Sequence, residues 1–275
     1  MRLTPVVKNL LILNVGLFII VMVNEAMGNN FDLRGFLSLH YPSSDLFRPF
    51  QLVTHFFMHA DFMHIAFNMF ALVMFGPPIE TLWGPKRFLS FYILCAFGSA
   101  ALHLGYTWWE IDQLQAQIAD WWTTLDYDAY YQLASNSFWM SQGELDQANE
   151  VLQALSNGNL EFVRTEGPAV MNNIVDNKVD IPMLGASGAI FGVLLAFGMQ
   201  FPDVKLMLLF FPVPVKARYF IPVIMGLELF LGVQRYSWDN MAHFAHLGGA
   251  LIGLILILYW RRFDPPVGNR WDQNA

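Results

Sequence analysis

Six apolar stretches, at residues 7–24, 59–78, 87–106, 183–202, 219–234 and 242–260, limit what this chain can fold into more than any other feature of it. A helix needs about 20 mostly apolar residues to cross the hydrocarbon core of a bilayer, so each stretch reads as a membrane span, the fifth being the shortest. The composition agrees: 13 % of the residues are charged and 55 % are hydrophobic, whereas a soluble domain carries about 25 % charged residues. So few charges cannot cover a soluble surface, which excludes an ordinary cytosolic enzyme and a disordered chain. A formal net charge of −7 also argues against a nucleic-acid partner, whose phosphates require a basic face. The single cysteine, Cys95, permits neither an intramolecular disulfide nor a thiolate zinc cluster. The expected fold class is an all-α integral membrane protein, a six-transmembrane-helix bundle in the lipid bilayer.

The first span follows closely on Arg2 and Lys8 with no small-residue cleavage site after it, and reads as an anchor rather than a removable signal peptide. The apolar run 206–215 before the fifth span reads as an interfacial segment. Basic residues then set the orientation. One side holds ten, namely Arg2, Lys8, Lys86, Arg87, Lys205, Lys216, Arg218, Arg261, Arg262 and Arg270; the other holds five, Arg34, Arg48, Arg164, Lys178 and Arg235. Both termini are therefore expected in the cytoplasm. With no organellar targeting segment to be seen, a bacterial inner membrane is the expected location.

Three segments are expected: spans one to three in 1–106, an extracytoplasmic acidic insertion in 107–180, and spans four to six with a cytoplasmic tail in 181–275. The insertion holds twelve Asp and Glu residues against Arg164 and Lys178, a net −10. Ser141-Gln-Gly-Glu144 has the form of a capping box opening a helix through Leu155, which the turn Ser156-Asn-Gly-Asn159 ends. Trp108-Trp109 and Trp121-Trp122 flank a helix-like run, and paired tryptophans at a span end usually mark the headgroup layer. A small helical cap on the membrane surface and a dedicated substrate-recognition domain both fit.

Polar residues inside spans are costly and tend to be functional or buried against protein. Span two and its approach carry Thr54, His55, His59, Asp61, His64 and Asn68; span four opens with Gly185-Ala-Ser187-Gly188; span five holds Glu228; span six opens with His243-Phe-Ala-His246. Spans two, four and six start at the same face. At about 1.5 Å per residue, Ser187 and His246 lie roughly 6 Å below it and Asn68 on the order of 13 Å, with His64 one turn above Asn68. Gly188, Gly192 and Ala196 form a small-residue stripe on span four, and Gly249 and Gly253 a matching one on the His246 side of span six. Such faces allow close helix approach in lipid, which brings the Ser187 hydroxyl toward the His246 imidazole.

A serine hydroxyl becomes an effective nucleophile when a base takes its proton, and His64 and Asn68 offer N–H donors to a developing oxyanion. Spans two, four and six carry no carboxylate at matching depth, so a Ser–His dyad is expected. Taken singly, each residue has a plainer use: Ser187 as a cap, each histidine as hydrogen-bonded structure, His55 and His59 as an i,i+4 metal pair, Glu80 as a cap or the ion-pair partner of Lys86-Arg87, and Glu228 as an interhelical hydrogen-bond partner.

Three motifs, His64-Ile-Ala-Phe-Asn68, Gly185-Ala-Ser187-Gly188 and Ala245-His246-Leu-Gly-Gly249-Ala-Leu-Ile-Gly253, stand in order on spans two, four and six. In this the chain resembles the rhomboid family of intramembrane serine proteases, bacterial type, over all six spans. The resemblance implies a rhomboid-like bundle in which Ser187 is the nucleophile, His246 the general base and then acid, and His64 and Asn68 oxyanion donors beside the Ser187 backbone N–H. It also implies transmembrane or membrane-adjacent protein substrates and no metal or cofactor. Gly185, Gly188, Phe191, Gly249 and Gly253 would pack the site, Phe191 standing where some relatives carry Tyr and stacking on His246. Pro212-Val-Pro214-Val-Lys216 resembles the cytoplasmic loop of bacterial members, and Phe50-Gln51 stands where many relatives have Trp-Arg. The alternative is a non-catalytic relative, a membrane-protein binding or quality-control adaptor; such proteins characteristically lose the serine or the histidine, and this chain keeps both. A metal or proton transporter would call for midplane carboxylates and broken-helix repeats.

Overall fold

The structure is a computed structural model that describes residues 2–28, 31–135, 140–208, 211–234 and 242–263. Arg235 and Arg270, counted above for orientation, and the tail beyond residue 263 lie outside the described residues. The helices are α1 (Pro5–Ala26), α2 (Leu33–Leu37), α3 (Gln51–Thr54), α4 (Phe62–Trp83), α5 (Pro85–Thr124), α6 (Tyr127–Ser135), α7 (Gln142–Ser156), α8 (Leu160–Val179), α9 (Ser187–Gln200), α10 (Ala217–Gln234) and α11 (His243–Phe263). A short antiparallel pair, β1 (Lys205–Leu208) and β2 (Phe211–Lys216), joins α9 to α10. Its register sets Leu206 opposite Val215 and Met207 opposite Pro214, so the described residues of the run 206–215 are extended strands. Alternation of Val213 and Val215 with prolines suits an extended chain and not a helix.

Among the described residues, α1, α4, α5, α10 and α11 are long and apolar enough to cross a membrane, and α9 is a shorter apolar helix of 14 residues. This is a mostly helical, multi-pass membrane protein. Two boundaries differ from the sequence reading. The fourth span was expected over 183–202, but its helix starts only at Ser187. Before it the chain is extended: Met183 and Leu39 exchange both backbone hydrogen bonds at 2.8 Å, and the Gly185 N–H donates to the His55 carbonyl at 2.9 Å. Fourteen residues rise only about 21 Å, less than a hydrocarbon core of about 30 Å. The third span was expected to end at 106, yet α5 continues to Thr124. No glycine or proline follows Gly105 within it, so nothing local breaks the helix until Leu125, at φ +50°.

The described chain divides into two compact units. The first comprises residues 1–39, 49–103 and 183–275, and the second 40–48 and 104–182. In the first, α9 is the central element. Its Ala189, Ile190, Val193, Ala196 and Phe197 are buried in one core with Met69 and Leu72 of α4 and Ile257 of α11. Val223, Leu227 and Phe230 form an exposed apolar row on α10, as do Ile12 and Ile19 on α1, the expected state of side chains that face lipid.

Glu80, near the end of α4, is buried and caps α1. Its carboxylate accepts from the Val6 and Val7 N–H groups at 3.0 Å each and from the Thr4 hydroxyl. The first four N–H groups of a helix lack intrahelical partners, and a carboxylate there also meets the positive end of the helix dipole. Glu80→Ala is expected to lower the stability of the detergent-solubilised protein by about 1–3 kcal/mol, read as a reduced thermal midpoint. An unchanged midpoint would show that water substitutes for the carboxylate.

The second unit has its own core, with Trp121, Tyr130, Val151, Val163 and Val170 all nearly inaccessible. The capping box opens α7 as its sequence predicts: Glu144 Oε2 accepts from Ser141 N at 2.6 Å, and Ser141 Oγ accepts from Glu144 N at 3.4 Å. Hydrogen bonds from Ser141, its side chain first, hold the Glu144 carboxyl below the usual carboxylate range. Trp121 corrects the reading of paired tryptophans as headgroup markers. It is 1 % exposed, and its indole N–H donates to the Asp126 carbonyl at 3.0 Å, whereas Trp108 and Trp109 are exposed.

Candidate active site

Close approach of three helices builds the site. A Cβ placed on Gly249 of α11 would lie 1.8 Å from the Gly188 carbonyl oxygen of α9, and one on Gly253 would lie 3.2 Å from Gly192 Cα. The same stripe of α9 faces α5, where a Cβ on Gly188 would meet Ser99 and one on Gly192 would meet Cys95. On the other side of α11, Gly248 abuts the Gly98 carbonyl at 2.7 Å from its own virtual Cβ. Gly98 and Gly248 were not picked out in the sequence, although they carry the same small-residue signal.

This contact brings together the residues that the motifs pointed to. Ser187, the first residue of α9, has its Oγ 2.9 Å from His246 Nε2 on α11. Phe191, one turn along α9, stacks on the His246 ring with centroids 4.3 Å apart and planes within 4°. The imidazole is 5 % exposed, so its plane and its distance from the serine are fixed by packing.

His64 and Asn68 come from α4, whose first turn is set by Asp61: its carboxylate accepts from His64 N at 2.8 Å and caps the helix. Gly185 separates His64 from the serine. A Cβ there would sit 2.9 Å from His64 Nε2 and 3.6 Å from Ser187 Oγ, and the residue is at φ +123°. Both space and backbone conformation therefore demand glycine. Asn68 is buried, and its Nδ2 has no hydrogen-bond partner among the described residues. A buried amide donor left unpaired costs free energy unless a ligand oxygen completes it.

The loop before α4 holds this corner in place. Gln51 is fully buried, with Nε2 donating to the Phe36 carbonyl at 3.1 Å, and Thr54 Oγ1 donates to the Leu37 carbonyl at 2.6 Å. The glutamine of Phe50-Gln51 thus ties the first loop together. His55 is buried, and its Nδ1 donates to the Gln51 carbonyl at 2.6 Å. Burial pushes its imidazole down to about 4, so it is neutral at pH 7 and structural. His59 packs edge-on against His64, centroids 5.1 Å apart, and so belongs to the same corner. Among the described residues, the three-ligand group that could hold a metal ion contains neither His55 nor His59; it is Glu228, His243 and His246.

Glu228 is the residue the sequence reading left outside the site. That reading counted carboxylates on spans two, four and six only, and the carboxylate arrives from α10. Its Oε2 accepts from His246 Nδ1 at 2.9 Å and from His243 Nδ1 at 2.7 Å. A carboxylate in the middle of an apolar span was itself a signal of a buried partner. Nothing in the sequence named which partner it would be.

The fold and this site define a polytopic helical membrane protein with a serine hydroxyl bonded to an imidazole inside its helix bundle. The Rhomboid domain family matches residues 46–108 and 162–263, and the chain belongs to that family, whose members are typically intramembrane serine proteases. It is similar to the mitochondrial Rhomboid protein 1 of Saccharomyces cerevisiae, at 24 % identity over 199 residues covering 72 % of this chain and 38 % of that protein. RHOMBOID-like protein 12, mitochondrial, of Arabidopsis thaliana is 27 % identical over 252 residues, 91 % of this chain and 56 % of that one. The human Presenilin-associated rhomboid-like protein, mitochondrial, is 35 % identical over 95 residues, 31 % of this chain and 24 % of that protein. The chain therefore spans little more than half, or less, of the length of these curated relatives.

Proposed function

We propose that this protein is an intramembrane serine endopeptidase that cleaves transmembrane or membrane-adjacent proteins. The observation that carries this reading is the 2.9 Å separation of Ser187 Oγ and His246 Nε2. At that distance Nε2 takes the hydroxyl proton as Oγ attacks a substrate carbonyl carbon. The oxyanion so formed would be stabilised by the Asn68 amide, by His64 and by the Ser187 N–H at the start of α9, where helix N–H groups lack intrahelical partners. Protonated His246 then gives its proton to the leaving amine, and water, deprotonated by the same imidazole, releases the acyl group from Ser187. A substrate helix must unwind locally first, because a peptide group held in helical hydrogen bonds is closed to attack. In this reading both termini stand on the side richer in basic residues, and the site opens toward the opposite face.

The test is reaction of the purified, detergent-solubilised protein with a fluorophosphonate probe, which labels activated serines. Wild type is expected to label and Ser187→Ala to remain unlabelled. A well-folded wild type that does not react would overturn the protease reading and leave the non-catalytic adaptor.

A further inference from the structure

We propose that Glu228 is a positioning residue for His246, and that His243 is the second donor that lets this carboxylate stay buried and ionised. The inference rests on the protease reading and deepens it from a serine–histidine pair to a relay of four side chains on three helices. A neutral imidazole carries one N–H, and the hydrogen bond made by one nitrogen sets the role of the other. With Nδ1–H donating to Glu228 Oε2 at 2.9 Å, Nε2 must present its lone pair, and it faces Ser187 Oγ at 2.9 Å. Without the carboxylate the imidazole is free to take the other tautomer, whose Nε2–H cannot accept the serine proton. When the serine proton moves to Nε2, the Nδ1 proton stays where it is and Glu228 remains ionised. The imidazolium so formed has a carboxylate in direct contact.

His243 explains how the charge survives in an apolar helix. Glu228, His243 and His246 are each no more than 9 % exposed, and an ionised carboxylate in that setting costs several kcal/mol unless it is hydrogen-bonded. Two N–H donors on one oxygen, at 2.7 and 2.9 Å, supply those bonds. The same three residues have the composition of a zinc site, but the distances argue for protons. Nitrogen and oxygen ligands about 2.0–2.1 Å from a tetrahedral zinc ion stand roughly 3.3 Å from each other, and the two nitrogen–oxygen pairs here are closer, at 2.7 and 2.9 Å. The two histidine rings lie at 90° to one another and reach the carboxylate from one helical turn of α11.

The experiment is saturation kinetics of fluorophosphonate labelling, with full-length wild type, Glu228→Gln and Glu228→Asp in detergent. Glu228→Gln keeps the volume and lets the side chain donate as well as accept. It is expected to slow the limiting labelling rate roughly 10²–10⁴-fold, the scale of losing the orienting acid in a serine hydrolase, with the half-saturating probe concentration unchanged. Glu228→Asp is expected to recover part of the loss. A purely structural role would lower the thermal midpoint and leave the limiting rate of the surviving protein at the wild-type value, and that result overturns the proposal. The 15N spectrum of histidine-labelled wild type decides the matter should Glu228→Gln fail to fold. Protonated Nδ1 and unprotonated Nε2 on His246 support the proposal, and the reverse tautomer overturns it. Wild type that does not label at all rejects the protease reading, while the tautomer still reads the Glu228–His246 bond separately.

Discussion

Purified His246→Ala protein should be folded and cleave a transmembrane reporter on the order of 10⁶-fold more slowly than wild type, the loss seen when the base of a serine hydrolase is removed. Among the described residues, Ser187 Oγ is hydrogen-bonded to the His246 imidazole, at 2.9 Å from Nε2, and to neither His64 nor Asn68. The fold should survive because Glu228 keeps a donor in His243 at 2.7 Å, so no buried carboxylate is left bare. Ser187→Ala combined with His246→Ala should be no slower than either alone, since the two residues act as one unit. The assay is cleavage in detergent micelles beside circular dichroism of the same samples. A His246→Ala protein that turns over at even one-hundredth of the wild-type rate would remove the imidazole from the chemistry.

The second large effect is expected far from any reacting atom. Gly249→Ala adds one methyl group whose carbon would lie 1.8 Å from the Gly188 carbonyl oxygen and 2.5 Å from its carbon. Carbon–oxygen contacts are comfortable near 3.3 Å, so α9 and α11 must part by on the order of 1.5 Å. Neither contact atom belongs to a flexible side chain that could swing aside. Ser187 adjoins Gly188, and His246 lies one turn before Gly249, so the separation falls directly on the serine–imidazole hydrogen bond. A displacement of about 1 Å can cost 10²-fold in rate, and Gly249→Ala should lose at least about that much in limiting labelling rate as well as some thermal stability. Gly16→Ala is the control: a Cβ there meets nothing within 4 Å, and both quantities should stay at wild-type values. Wild-type labelling by Gly249→Ala would show that the helix contact does not set the reactive geometry.

Much of this architecture is written in local sequence because lipid enforces it. A backbone in hydrocarbon must satisfy its own hydrogen bonds, so a long apolar stretch has little choice but to be a helix, and α1, α4, α10 and α11 follow their stretches closely. The Ser141–Glu144 capping box is equally local. The pairing of Ser187 with His246 was legible for a related reason: small-residue stripes on spans four and six are a contact rule that a single helix can display. Boundaries set by competition were not legible. The helix of the fourth span gives way to extended chain before Ser187 because Met183 and Gly185 find partners in Leu39 and His55, well over a hundred residues away. In the same way, Trp121 looked like an interfacial residue until a core formed around it.

Two carboxylates mark the remaining division. The sequence by itself marked Glu228 as an interhelical hydrogen-bond partner and Glu80 as a cap or the ion-pair partner of Lys86-Arg87, because an ionised group in hydrocarbon is tolerated only when it is bonded. It did not reach the partners found, since each comes from another helix: Thr4, Val6 and Val7 of the α1 start for Glu80, and His243 and His246 for Glu228. Sequence spacing fixes which residues share a face of one helix, but the rotation of one helix against the next depends on side chains interlocking across the bundle. That rotation alone turned Glu228 of α10 toward His246, and so only the tertiary structure decided that the imidazole facing Ser187 has a carboxylate behind it.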